Sequence, residues 1–219
     1  TRILRDETKV TGVEIENTAD GSTYVFKAAE FISSMPITAL VENMDPPAPE
    51  PVREAARRLK YRDFLIVTLI LKKKDLFPDN WIYIHSPDVK VGRIQNFRSW
   101  SPEMLPNDDH SSIGMEYFCC EGDDLWQMDD ADLLKLAEQE LRKLNLVGDA
   151  EVVDGSVIRQ PKAYPVYDHE YAEALDTLRD WLARFPNLQA VGRNGMHRYN
   201  NQDHSMLTAM LAVENILGE

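Results

Sequence analysis

The densest concentration of chemically useful side chains lies near the C-terminus. Gly192-Arg193, Gly195, Arg198-Tyr199, the amides Asn200, Asn201 and Gln202, and Asp203 fall between the short apolar stretch Leu188–Val191 and the apolar segment Ser205–Leu217. This order reads as a strand, a sharp polar turn and the start of a buried helix. Backbone N–H groups at a helix N-terminus, beside an arginine and amide side chains, hold anionic or electron-rich ligands. The run is therefore expected to form one wall of a cofactor site.

The other half of such a site is not in the chain. A dinucleotide site opens with a strand and a Gly-x-Gly-x-x-Gly turn, because only glycine lets the backbone approach a pyrophosphate. No two of the ten glycines are separated by a single residue. Thr1–Glu16 reads as the middle of a β-meander, so the chain is expected to be a C-terminal piece of a longer protein that has lost a Rossmann segment. Elsewhere, Arg93 and Arg98 are candidate phosphate ligands; the competing reading of Arg93, Asn96 and Arg98 is a solvated strand surface, with Asn96 and Arg98 at period-two spacing. The five histidines lack metal-ligand spacing, and no Ser-His-Asp or Gly-x-Ser-x-Gly arrangement exists. The adjacent Cys119 and Cys120 cannot staple distant segments and read as strand thiols of a reducing compartment, the cytoplasm.

Composition narrows the function classes. At 219 residues and 43% hydrophobic content, the chain can bury a sizeable core. A net charge of -13 opposes non-specific nucleic-acid or anionic-membrane binding, which needs a positive surface. The longest apolar run, Phe64–Leu71 apart from Thr68, is far too short for a bilayer span.

The elements that must position these residues follow from periodicity. Val13 and Ile15 alternate on one side of a turn at 19–22, and Tyr24 and Phe26 on the other, which predicts a hairpin. Phe31–Pro36 reads as a buried strand rejoining the main sheet. Prolines 46, 47, 49 and 51 make Asp45–Pro51 an extended crossing at a lobe boundary. A short helix on Val52, Ala55, Ala56 and Leu59 follows. Short apolar runs at 64–71, 81–85, 92–98 and 113–120 predict an antiparallel sheet. Helices are expected from Asp129 to about Asn145 and over 169–184, with strands at 150–159 and 188–191 between and after them. The fold class is α/β (α+β): residues 1–44 and 184–219 as the remnant of one domain, enclosing an antiparallel lobe over 45–183, an interleaving that suits a ligand cleft.

The C-terminal run resembles the flavin-contacting signature of FAD-dependent enzymes of the amine oxidase and protoporphyrinogen oxidase superfamily, and within it the UDP-galactopyranose mutases. Gly192-Arg193, Gly195, Arg198-Tyr199 and Asp203 match in order, and Tyr164-Pro165-Val166 matches an element preceding the last helix and strand. Phe31–Pro36 is similar to the strand returning from the meander. Asn200-Asn201-Gln202 departs from the apolar and acidic residues usual before that aspartate, which opens the reaction type.

This resemblance implies FAD in the full-length parent, with Gly192, Arg193, Asn201, Gln202 and Asp203 at the flavin. It implies Tyr164 and Tyr199 on a substrate diphosphate, and the isolated piece is expected neither to retain FAD nor to be active. Mutase chemistry would use reduced flavin on a nucleotide sugar with no net redox change. The alternatives are an oxidoreductase passing hydride from an amine, porphyrinogen or polyene to flavin, and a flavin-free binding lobe. Loss of the Rossmann part would expose apolar surface on the last helix, around Met206, Leu207, Met210 and Leu211, through which a homodimer could form.

Overall fold

The computed structural model describes residues 2–105 and 107–218, so Thr1, where the expected meander begins, lies outside them. Two compact units emerge from its contacts. One takes the chain up to Tyr61 and resumes at Tyr164; the other is Arg62–Ala163.

The first unit opens with β1 (Arg2–Arg5), β2 (Val10–Glu16), β3 (Thr23–Phe26) and β4 (Phe31–Ser33), followed by α1 (Ile37–Glu42), β5 (Met44–Asp45) and α2 (Glu50–Arg58). Sheet order is β3-β2-β1-β5, and the predicted hairpin pairs Val13 with Phe26 and Ile15 with Tyr24. The proline crossing is shorter than expected. Pro49 is the N-cap of α2 and Pro51 sits in its first turn, where a missing N–H costs nothing.

The chain then enters β6 (Lys60–Leu71), and β7 (Trp81–Tyr83), β8 (Arg93–Asn96), α3 (Phe97–Trp100), β9 (Ser111–Cys119), α4 (Asp124–Gln127), α5 (Asp130–Lys143) and β10 (Val152–Val166) follow. The sheet order β10-β6-β9-β8-β7 confirms the expected antiparallel pairing of β6, β9, β8 and β7. Leu65, Val67, Leu69 and Leu71 alternate with less buried neighbours on β6, oppose Tyr117, Met115, Ile113 and Ser111 on β9, and share a core with Leu133, Ala137 and Leu141 of α5. Glu140 of the same helix is buried, and it accepts hydrogen bonds from the Lys90 N–H (2.6 Å), the Val91 N–H (3.1 Å) and the Tyr117 hydroxyl (3.1 Å). A carboxylate on an apolar helix face thereby anchors the segment leading into β8. Asp129 is the N-cap of α5, but its side chain makes no capping bond; Arg159 instead ties Asp130 (2.6 Å) and the carbonyls of Trp126 and Met128.

Back in the first unit come α6 (Tyr171–Leu182), β11 (Leu188–Ala190), α7 (Gly192–Met196) and α8 (Gln202–Leu217). Its core joins Ile37, Leu40, Val52, Ala55, Leu175, Leu178 and Phe185, with the Arg5 guanidinium over Trp181 (5.3 Å). Among the described residues no helix is long and apolar enough to cross a membrane.

Four expectations need correction. The strand 92–98 stops at Asn96, and Arg98 lies on α3. β4 is not buried in the main sheet: among the described residues it pairs in parallel with β11 alone, and Ile32 is 46% exposed. The strand expected at 150–159 continues to Val166, carrying Tyr164 with it. The last helix buries only Ala212, because its apolar residues lie almost all round it while only one side meets protein.

Candidate functional site

In the first unit the polar run is a short helix rather than a turn. The Val191 N–H donates to the Ser33 carbonyl (2.9 Å), which aims the chain out of β11. Gly192 adopts φ +74°, a left-handed conformation open to glycine, and its N–H donates to the Thr208 hydroxyl of α8 (3.0 Å). A Cβ on Gly195 would stand 2.8 Å from the Ser33 carbonyl oxygen, so this second glycine is what lets α7 lie against β4. Packing thus accounts for both glycines of the motif. His197 ends α7 at φ 48°, and the turn closes when the Arg198 N–H donates to the Arg193 carbonyl (2.9 Å).

That geometry delivers Arg193 to two tyrosines. Tyr164, from β10, and Tyr199 stack with ring centroids 5.6 Å apart and planes at 18°. The Arg193 guanidinium lies 4.8 Å from the Tyr164 ring and 5.0 Å from the Tyr199 ring, and its Nε donates to the Asn200 carbonyl (2.8 Å). A guanidinium over an aromatic face contributes about 0.5–2 kcal/mol depending on solvent exposure. The Tyr199 N–H in turn donates to the Tyr167 hydroxyl (2.5 Å). Sequence reasoning passed over Tyr167, for which no spacing signal existed.

Asn201, Gln202 and Asp203 come together at the start of α8, all exposed, with Asn201 as an N-cap whose side chain makes no capping bond. The Asp203 carboxyl is held below its usual range, first by the His204 backbone N–H, and its Oδ1 lies 3.0 Å from His204 Nδ1. An uncapped helix start with exposed residues fits the electron-rich edge of a ring.

The second unit carries its own cluster. Arg93 and Gln95, two apart on β8, both donate to Glu116 of β9, which is fully buried. Trp81, Tyr83 and Phe118 surround the Arg93 guanidinium at 5.0, 5.9 and 5.8 Å, yet stay 45%, 58% and 43% exposed. The structure does not bring Arg98 to Arg93. Its guanidinium pairs with Asp108 (2.6 Å) and donates to the His110 carbonyl (3.3 Å), so it braces a loop. Asn96 is buried and donates to the Phe77 carbonyl (2.7 Å). Of the three polar residues, only Arg93 lies among exposed aromatics. Glu116, a lone charge in the apolar run 113–120, was the available signal for this cluster.

The family model for flavin containing amine oxidoreductases matches residues 1–192. No curated protein matches the chain. Among solved structures, reduced UDP-galactopyranose mutase superposes with a TM-score of 0.79 at 20% identity, covering 99% of this chain and 45% of that one. An oxidoreductase from Methanosarcina mazei gives 0.62 at 14% identity, covering 96% and 48%. The chain therefore spans less than half the length of these proteins, and at such identities the likeness concerns the fold. With most of its length matched by that model, the chain belongs to the flavin containing amine oxidoreductase family.

Proposed function

We propose that this chain is the C-terminal portion of an FAD-dependent enzyme acting on a nucleotide sugar through reduced flavin, as its likeness to UDP-galactopyranose mutase suggests. The observation that carries the reading is Arg193 held against Tyr164 and Tyr199 next to the uncapped start of α8. Residues 1–44 and 184–219 would be the remnant of the FAD-binding domain, and 45–183 the substrate lobe. Gly192, Arg193 and the backbone of Asn201, Gln202 and Asp203 would hold flavin, whose bound form supplies either hydride acceptance or a nucleophilic nitrogen. The chain's own residues would bind and orient. Tyr164 and Tyr199 of the first unit offer phenolic donors to a diphosphate without adding formal charge. In the second unit, taken by itself, Arg93 is the candidate substrate ligand, its guanidinium kept in place by Glu116.

The exposed Trp81, Tyr83 and Phe118 favour a second reading, an oxidoreductase whose more apolar substrate rests on that aromatic surface. Free Cys119 and Cys120 suit a cytoplasmic location, and the exposed apolar residues of α8 suit self-association of an isolated fragment, which a monomeric sedimentation profile would rule out.

The test uses the purified parent protein. Flavin absorbance is expected, and Arg193→Gln should weaken FAD retention by about tenfold or more, the equivalent of one charged hydrogen bond. Turnover of a UDP-sugar with reduced flavin supports the first reading; oxygen consumption with an amine or porphyrinogen supports the second. A well-folded, flavin-free parent protein sinks both and leaves a binding lobe.

A further inference from the structure

The first unit contains a second concentration of polar groups that the flavin reading does not use. Tyr167, Tyr171, Asp176, Arg179, His197 and Arg198 line a cavity of about 230 Å³ beside α6. Arg179 is half-buried on α6 and Arg198 is exposed just beyond α7, and neither guanidinium pairs with a carboxylate among the described residues. Asp176, one turn before Arg179, forms no ion pair with it either. His197 is fully buried, edge-on to Tyr61 at 4.9 Å, and neither of its ring nitrogens makes a hydrogen bond of normal geometry.

Two guanidinium groups facing one cavity repel each other, and each presents a planar fork of donors. A tetrahedral oxyanion satisfies both forks at once, whereas a carboxylate has two oxygens and fills one. The single carboxylate of Asp176 offsets only one of the two positive charges. Burial keeps the His197 ring neutral, partly offset by the Val166 carbonyl, while the Arg179 charge acts in the same direction as burial and Asp168 against it.

We propose that this cavity binds one phosphate group, gripped by Arg179 and Arg198. Tyr167 lines it and also accepts the Tyr199 N–H, so the bound phosphate would sit one side chain from the Arg193 cluster without sharing its ligands. The phosphate can be free or the end of a larger monoester; the protein chemistry is the same.

Calorimetric titration of the purified protein at constant ionic strength, with inorganic phosphate, glycerol phosphate and acetate in separate arms, tests this. Saturable binding of phosphate or the monoester but not of acetate is expected, and the tighter of the two identifies the source. Arg179→Gln and Arg198→Gln should each weaken it by about tenfold or more, the loss of a charge-assisted hydrogen bond. Asp176→Asn should tighten it, and Arg193→Gln should leave it unchanged. Absence of saturation, equal binding of acetate, or binding that survives both arginine replacements overturns the proposal, as does loss of binding in Arg193→Gln alone.

Discussion

Gly195→Ala separates two opposed effects at the base of the Arg193 cluster. Gly195 has ordinary negative-φ backbone inside α7. At such a position alanine normally stabilises by about 1 kcal/mol, because glycine loses more backbone entropy on folding. Here the added Cβ would stand 2.8 Å from the Ser33 carbonyl oxygen. That oxygen is backbone, already accepts the Val191 N–H, and belongs to the β4–β11 pair, so it cannot swing aside as a flexible side chain would. Overpacking of this kind costs about 1–3 kcal/mol, and against a rigid neighbour the upper part of that range applies, leaving a net loss of about 1–2 kcal/mol. For a protein of this size the expected fall in Tm is about 2–8 °C. Gly192→Ala is the companion: nothing lies closer than 3.9 Å to the point its new methyl group would occupy, but φ +74° costs a non-glycine residue about 1–2 kcal/mol. Urea and thermal unfolding of both variants, with near-ultraviolet circular dichroism to follow the Tyr164–Tyr199 stack, give the readout. A Gly195→Ala protein as stable as its parent, or more so, would refute the packing argument.

Glu140→Ala strands the Lys90 and Val91 backbone N–H groups, the second of them buried, and the buried Tyr117 hydroxyl, and should cost about 3 kcal/mol in urea unfolding, against about 1 for Tyr117→Phe, which removes one bond; equal losses would show that Glu140 is not the hub. His197 is held neutral in the fold with its pKa below the ordinary value, so the unfolded chain takes up its proton first as pH falls. Its contribution is complete above about pH 6.5, the unfolded value, and declines below that. His197→Asn, which tolerates the left-handed backbone, should flatten the Tm profile between about pH 7.5 and 5; an unchanged slope contradicts this. Burial pushes the Cys119 thiol up to about 11, so iodoacetamide near neutral pH should label Cys120 and spare Cys119, as peptide mass mapping would show; labelling of Cys119 first contradicts the burial argument.

Local rules read much of this chain correctly. Short apolar runs located β6 and β9, helical spacing located α5 and α6, and Leu133, Ala137 and Leu141 were identifiable as an inner face from spacing alone. The errors have specific causes. Arg98 was placed on a strand because it follows Asn96 at a period-two spacing, but the chain turns into α3 after Asn96, whose side chain bonds the Phe77 carbonyl. Ile32 looks like a core residue by hydrophobicity, yet among the described residues β11 is the one strand paired with β4.

From the sequence alone came the ordered Gly192-Arg193, Gly195, Arg198-Tyr199 motif, its placement after a strand and before a helix, and the lack of a Gly-x-Gly turn. Each depends on residues close together in the chain. Pairing of Tyr164 with Tyr199 under Arg193, of Arg93 and Gln95 with Glu116, and of Gly195 with Ser33 was decided only by tertiary structure. Those contacts join segments far apart in sequence, and their distances follow from how strands and helices pack, which no local periodicity encodes.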